Sequence, residues 1–194
     1  VAGGGSLAVY PLLIALGVPP IHANATTGVS VLPGNFSSFY GFRSHIRKIP
    51  LRYYLVLIPS VMGAYIGADI LHRTSDHTFA VIVPWFVLGG TVLLITQPTI
   101  SKWAKQRRGH RRRNRLHILI ALLVGMFGLA IYGGFFGGGA AIVVLALLGF
   151  TELTDIYAMN GLKNISTAVM NITSSIYLIA HGLVQWELIP LLLI

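Results

Sequence analysis

Long apolar stretches alternate with short polar or basic ones along almost the whole chain. A helix that crosses the hydrocarbon core of a bilayer needs about 20 apolar residues, and residues 51–71, 78–98 and 116–136 have that length and pattern. Residues 21–42 and 156–180 match in length but are studded with Asn, Ser and Thr. Two further apolar pieces, 7–17 and 140–149, are short. At the α-helical rise they reach roughly 15 Å, about half the hydrocarbon thickness. Each follows a glycine triplet: Gly3, Gly4 and Gly5 before the first, Gly137, Gly138 and Gly139 before the second. Half-length apolar pieces beside glycine breaks are the pattern of discontinuous helices lining a site within a membrane. The predicted fold class is all-α, a polytopic transmembrane helical bundle.

Composition narrows the choice further. Of the 194 residues 55% are hydrophobic and only 10% charged, against about 25% charged in a soluble domain. Mean hydropathy is +0.76. A globule of this size cannot hide so much apolar surface from water, which excludes a water-soluble enzyme. Cysteine is absent, so disulfides, thiolate metal sites and cysteine nucleophiles are excluded as well.

The net charge of +9 is carried unevenly. Lys102, Lys105, Arg107, Arg108, Arg111, Arg112, Arg113 and Arg115 form one run, and Arg43, Arg47, Lys48 and Arg52 form a smaller group. Short loops rich in Lys and Arg stay cytoplasmic. The two spans 51–71 and 78–98 separate the two groups and return the chain to the same side, with 72–77 as the external turn. Contact with anionic lipid is compatible with this topology. A nucleic-acid role would need a domain to present the basic run, and none is visible, so the bilayer is expected as a partner and nucleic acid is not. The chain starts on a residue other than Met and stops inside a new apolar run at 186–194. It therefore reads as the middle of a longer membrane protein that lacks its first helix and its last one or two. No signal-peptide pattern is present.

The sequence also contains itself twice. One copy reads GGGSLAVYPLLIALGVPPIHANATTGVSVLPGNFSSFYGF, the other GGGAAIVVLALLGFTELTDIYAMNGLKNISTAVMNITSSIYLIAHG. Both run from the glycine triplet through about ten apolar residues to a glycine (Gly17, Gly149), then a short turn, then Ala23-Asn24 or Ala158-Met159-Asn160. They finish on SSFY at 37–40 and SSIY at 174–177. The expected organisation is a first transmembrane repeat over 1–98, a basic cytoplasmic loop over 99–115 and a second repeat over 116–194. If 140–149 crosses the bilayer the repeats are inverted, and if it re-enters they are parallel. Inverted repeats around a midplane site are common in secondary transporters, and inversion is the expectation.

Polar residues inside the spans carry the candidate chemistry. Asn160, Lys163, Asn164, Thr167, Asn171, Ser174 and Ser175 recur at three- and four-residue steps, which puts them on one helix face. Asn24, Thr27, Asn35 and Ser38 lie on a corresponding face of the first copy. Lipid cannot solvate such a stripe, so it faces either a partner helix or an aqueous cavity. Lys163 is the costliest of these residues. It either snorkels to the interface or needs a negative partner, for which Glu152, Asp155 and a bound anion are candidates. Glycine breaks favour the anion, because backbone N–H groups at a helix N-terminus attract negative charge and glycine lets a ligand approach closely. The candidate substrate-binding set is therefore Gly3, Gly4, Gly5, Asn24, Thr27, Gly137, Gly138, Gly139, Asn160, Lys163, Asn164 and Asn171. Phosphate-binding loop, GxSxG and HExxH motifs are absent and the histidines are scattered, so no catalytic residue, metal or cofactor is expected and the chain is not read as an enzyme. Asp69 is expected to cap or pair with Arg73 rather than relay protons. The four Asn-x-Ser/Thr triplets sit in apparent spans and are read as coincidence rather than glycosylation sites.

The signatures GGGSLAVYPLLIALG and YGGFFGGGAAIVVLALLG, each followed by a polar Ala- and Asn-rich helix, resemble those of the sulfite exporter TauE/SafE family, as do the basic mid-chain loop and AHGLVQWELIP. The resemblance covers nearly the whole chain. It implies a permease of the bacterial inner membrane that moves small anions such as sulfite, sulfoacetate or related oxyanions and sulfonates, with proton coupling in some members. The first copy has Thr27 or Gly28 where the second has Lys163, so the two halves cannot contribute identically to a site. The expected mechanism is alternating access, one repeat moving against the other. The alternative is a non-transporting scaffold or sensor that binds anionic lipid or a partner through Lys102 to Arg115, in which the polar stripes only hold helices together.

Overall fold

The computed structural model describes residues 5–46, 49–106, 115–149 and 155–192. Gly3, Gly4, Arg47, Lys48, the centre of the basic run at 107–114 and the turn at 151–154 with Glu152 lie outside the described residues. Among the described residues every regular element is helical.

Helix α1 (Gly5–Ala15) is one of the two short pieces. It closes at Gly17, whose φ of +82° is left-handed, and the Val18 N–H returns to the Leu13 carbonyl at 3.1 Å. This six-to-one bond satisfies a terminal carbonyl that the helix itself cannot. The polar segment 21–42, expected as one span, forms two helices, α2 (Pro20–Ser30) and α3 (Leu32–Ile46). The correction has a local cause. Pro33 has no N–H to give, and its ring would press on the carbonyl four residues back at Val29. Pro20 opens α2 at a position where a missing N–H costs nothing. The Ile21 N–H there is taken up by Asp76 Oδ1 at 3.1 Å.

A 3-10 segment (Leu51–Val56) runs into α4 (Leu57–Arg73). Together they make a rod of 23 residues, long and apolar enough to cross a bilayer. Helix α5 (Asp76–Gln106) has 31 residues and continues past the apolar stretch that ends at 98. At roughly 46 Å it exceeds the hydrocarbon thickness, and it carries Lys102 and Lys105 on helix where a loop was expected. Helix α6 (Arg115–Phe135) is followed by a break at residues 136–139 and by α7 (Ala140–Leu148), the second short piece. Helix α8 (Ile156–Ala180) is the long polar helix. A 3-10 turn (Trp186–Leu188) and α9 (Ile189–Leu192) complete the described chain.

Helices α4 and α6 cross at close range. A Cβ on Gly63 would lie 2.6 Å from the Phe127 carbonyl oxygen and 2.7 Å from the Ala130 Cβ. One on Gly67 would overlap the Ile131 carbonyl, and one on Gly134 the Ala64 carbonyl. Small residues four apart let membrane helices meet backbone to backbone, and Gly63-Ala64-Tyr65-Ile66-Gly67 has that spacing. The outer faces carry large apolar side chains, among them Met62, Ile66, Trp85, Ile95 and Val124, with Trp85 71% and Ile95 74% exposed. So much outward apolar surface on successive helices is what a lipid solvent requires and water penalises.

Inside are two apolar clusters. One joins Ala64, Met126, Val144, Leu162 and Met170, and the other Leu13, Ile21, Leu71, Phe79, Phe136 and Leu178. Rings stitch the second together, with Tyr10 5.7 Å from Phe136 and Phe86 5.5 Å from Tyr132. Because Asp76 holds the start of α2 from the start of α5, Asp76→Ala leaves that N–H unsatisfied. The expected loss is about 1 kcal/mol, which corresponds to about 2–4 °C in the thermal midpoint of the detergent-solubilised protein for a chain of this size. An unchanged midpoint would remove Asp76 from the account of how α2 is held.

Candidate functional site

The polar face of α8 follows from its ends. Asp155 caps the first turn, its side chain accepting the Tyr157 N–H at 2.8 Å. Gly182, with φ +70°, ends the helix, the Leu183 N–H returning to the Leu178 carbonyl at 3.0 Å. The 25 residues between keep the three- and four-residue polar steps in register. Helices α2 and α3 both pack against α8. Thr26 Oγ1 of α2 accepts the Gln185 N–H at 3.1 Å just beyond the C-terminal end of α8, and Gly28 faces Ser175.

Where these helices meet the α6–α7 break, they leave a cavity of about 180 Å³. Helices α2 and α3 contribute Asn24, Thr27, Gly28 and Asn35. The end of α6 contributes Gly133 and Gly134, the break Gly137, the start of α7 Ala141, and α8 Lys163, Asn164, Thr167, Asn171 and Ser175. Met170 of one apolar cluster and Phe136 and Leu178 of the other form the dry walls.

Within this cavity the partners divide into committed and uncommitted groups. Asn24 donates its amide to the Phe135 carbonyl at 3.0 Å, which satisfies one of the orphan carbonyls at the end of α6 and ties the first polar helix to the break. The Thr27 hydroxyl donates to Ala23 O at 2.7 Å, and Thr167 Oγ1 to Lys163 O at 3.0 Å. Asn35 Nδ2 and Ser175 Oγ are buried with no hydrogen-bond partner among the described residues. Lys163 is only 9% exposed, and no carboxylate of the described residues forms an ion pair with it. Asp155, one expected counter-charge, is occupied as the cap of α8. Glu152 lies outside the described residues.

The glycine break works through its geometry. Gly137 and Gly139 both have φ +78°, a left-handed conformation that other residues adopt only under strain. Gly139 is the N-cap of α7, and the Gly138 carbonyl accepts the Tyr132 hydroxyl. The turn thereby directs the start of α7 at the cavity, where Ala140 and Ala141 form part of the wall.

A family model described as "Sulfite exporter TauE/SafE" matches residues 1–194. The chain belongs to the sulfite exporter TauE/SafE family. It is 29% identical over 194 residues to a "Probable membrane transporter protein" of Haemophilus influenzae, a match covering 96% of this chain and 71% of that protein. It is 28% identical over 198 residues to "Probable membrane transporter protein YfcA" of Escherichia coli K12, covering 96% of this chain and 66% of the relative. The chain thus spans about two thirds of the length of the Escherichia coli protein. No solved structure matches it.

Of the candidate residues in this TauE/SafE protein, Asn24, Thr27, Gly137, Lys163, Asn164 and Asn171 meet at one cavity. Gly138, Gly139 and Asn160 are not among its lining residues. Gly5 opens α1, while Gly3 and Gly4 lie outside the described residues. Gly133, Gly134, Asn35 and Ser175 line the cavity without having been in the candidate set. The Gly133-Gly134 pair just ahead of the triplet was the signal for the first two. Asn35 and Ser175 were visible as members of the polar stripes, but their lack of partners is a tertiary fact. Asp69 pairs with Arg73 at 2.8 Å as expected, and its other oxygen accepts the Tyr177 hydroxyl at 2.6 Å, so that carboxylate fastens α4 to α8.

Proposed function

We propose that this TauE/SafE protein is an inner-membrane permease for a small anion, a sulfur-containing oxyanion or organosulfonate of the sulfite and sulfoacetate kind. The anion is held between α2–α3 and α8 and is released to alternate sides by movement of one half against the other. The basic segments face the cytoplasm. The observation that carries this reading is Lys163, a buried lysine that lines a polar cavity with no protein counter-charge among the described residues. A buried cation without a partner is expensive, and a passing anion relieves that cost. The amides of Asn164 and Asn171 add donors, and the start of α7 a favourable dipole. The relatives named as transporters support the permease class, and the family description supports the choice of sulfur anions. Helix α2 entering beside the C-terminal end of α8 supports repeats of opposite orientation.

The test is anion uptake by the full-length protein in proteoliposomes, against sulfite, sulfonates and simple carboxylates. Saturable uptake of at least one sulfur anion, absent from empty vesicles, is the expected result. No uptake of any anion in either direction would overturn the reading. An imposed pH gradient in the same vesicles reads proton coupling as a stimulation of that uptake.

A further inference from the structure

We infer that the cavity selects its passenger by charge number, accepting anions that carry one negative charge and rejecting those that carry two. The inference rests on the permease reading and narrows it. Hydrogensulfite and simple alkanesulfonates become the favoured class, and sulfate, thiosulfate and doubly ionised sulfoacetate are disfavoured.

Three observations lead there. Among the described lining residues Lys163 is the one charged side chain; the rest are amides, hydroxyls, glycines and apolar groups. The hydroxyls of Thr27, Thr167 and Ser174 already donate to backbone carbonyls of their own helices, so they offer little to a second charge. The remaining lining donors, the amides of Asn35, Asn164 and Asn171 and the hydroxyl of Ser175, are neutral, and Ser175 stands twelve residues along α8 from Lys163, about 18 Å at the helical rise. A small ion beside the lysine cannot use both.

The energetics follow from the scaling of two terms. The cost of taking an ion out of water grows as the square of its charge, whereas its attraction to one fixed cation grows only in proportion. A single lysine can therefore compensate one negative charge far better than two. Among the described residues no second cation lines the cavity to restore the balance for a dianion.

The experiment compares initial uptake rates of methanesulfonate, sulfoacetate, sulfate and sulfite by the full-length protein in proteoliposomes, each at equal concentration. Methanesulfonate is expected to exceed sulfate and sulfoacetate at least about tenfold, the factor set by 1.4 kcal/mol. Sulfite uptake is expected to fall as pH rises through the range where sulfite passes from its singly to its doubly charged form, while methanesulfonate uptake stays flat. Sulfoacetate or sulfate moving within about twofold of methanesulfonate would overturn the inference and leave the permease intact, as would sulfite uptake that tracks methanesulfonate at every pH. Failure of every anion to move would instead remove the permease reading and this inference with it.

Discussion

Lys163→Met is expected to cut anion flux at least about 100-fold, the equivalent of roughly 3 kcal/mol of charge-assisted binding. The lysine is buried at the cavity wall, and no carboxylate of the described residues pairs with it. In the permease reading its charge is therefore spent on the passenger rather than on the fold. The same reasoning sets the sign of the stability effect. Replacing an uncompensated buried charge by an apolar side chain of similar length removes a desolvation cost, so the variant should insert normally and melt in detergent at or above the parent temperature. Lys163→Gln, which keeps a donor but no charge, should fail almost as badly. Lys163→Arg, which keeps the charge in a larger planar head, should retain part of the flux. Unchanged kinetics in Lys163→Met would take the residue out of the mechanism. Loss of folded protein in that variant would assign the lysine a structural role.

The parts of this fold that were legible in sequence are those whose causes are local. Residues 156–180 emerge as α8 with the expected limits, because an Asp cap and a left-handed glycine sit at either end of an uninterrupted helical pattern. The two half-length helices follow from length and glycine alone. Residues 21–42 have the length of the single expected span, but Pro33 breaks them into α2 and α3. Helix α5 runs beyond its apolar stretch, through Pro84 and Pro98, into a segment whose Lys and Gln are good helix formers.

For the candidate site, periodicity gave the angle of each residue around α8 but not where along that helix its neighbours draw apart. Asn160 shares the face of Asn164 and Thr167 by spacing, yet the cavity is lined only from Lys163 onward. The convergence of Asn24 on the carbonyl of Phe135, 111 residues away, was implied by pairing the two copies but no pattern could give the bond. The close crossing of α4 and α6 was missed although GAYIG is plain in the sequence, since a small-residue pair does not say which helix it will meet.

That crossing carries the second large effect. Gly67→Leu is expected to leave almost no folded protein, and Gly67→Ala gives the graded version of the same result. Two terms compete in the alanine variant. Helix propensity favours Ala over Gly by about 1 kcal/mol. Against it, the new methyl group would overlap the Ile131 carbonyl and lie 2.8 Å from the Phe135 nitrogen. Both are backbone atoms, which cannot rotate away as a side chain would. Overpacking costs about 1–3 kcal/mol where side chains can adjust, and more where two helices must separate, so a net loss of about 2 kcal/mol, or roughly 4–8 °C, is expected. Gly134→Ala, which meets the Ala64 carbonyl from the other side, should behave alike. Gly128→Ala lies on the same helix with nothing within 4 Å of the added carbon and should be neutral or slightly stabilising. The fold and the site are linked here, because the Phe135 carbonyl that receives Asn24 and the start of the glycine break both ride on the end of α6. Pushing α6 off α4 therefore also displaces the cavity wall, and anion flux in Gly67→Ala should fall even at temperatures where the protein remains folded. Equal melting temperatures for Gly67→Ala and Gly128→Ala would show that the two helices do not meet this closely in the membrane.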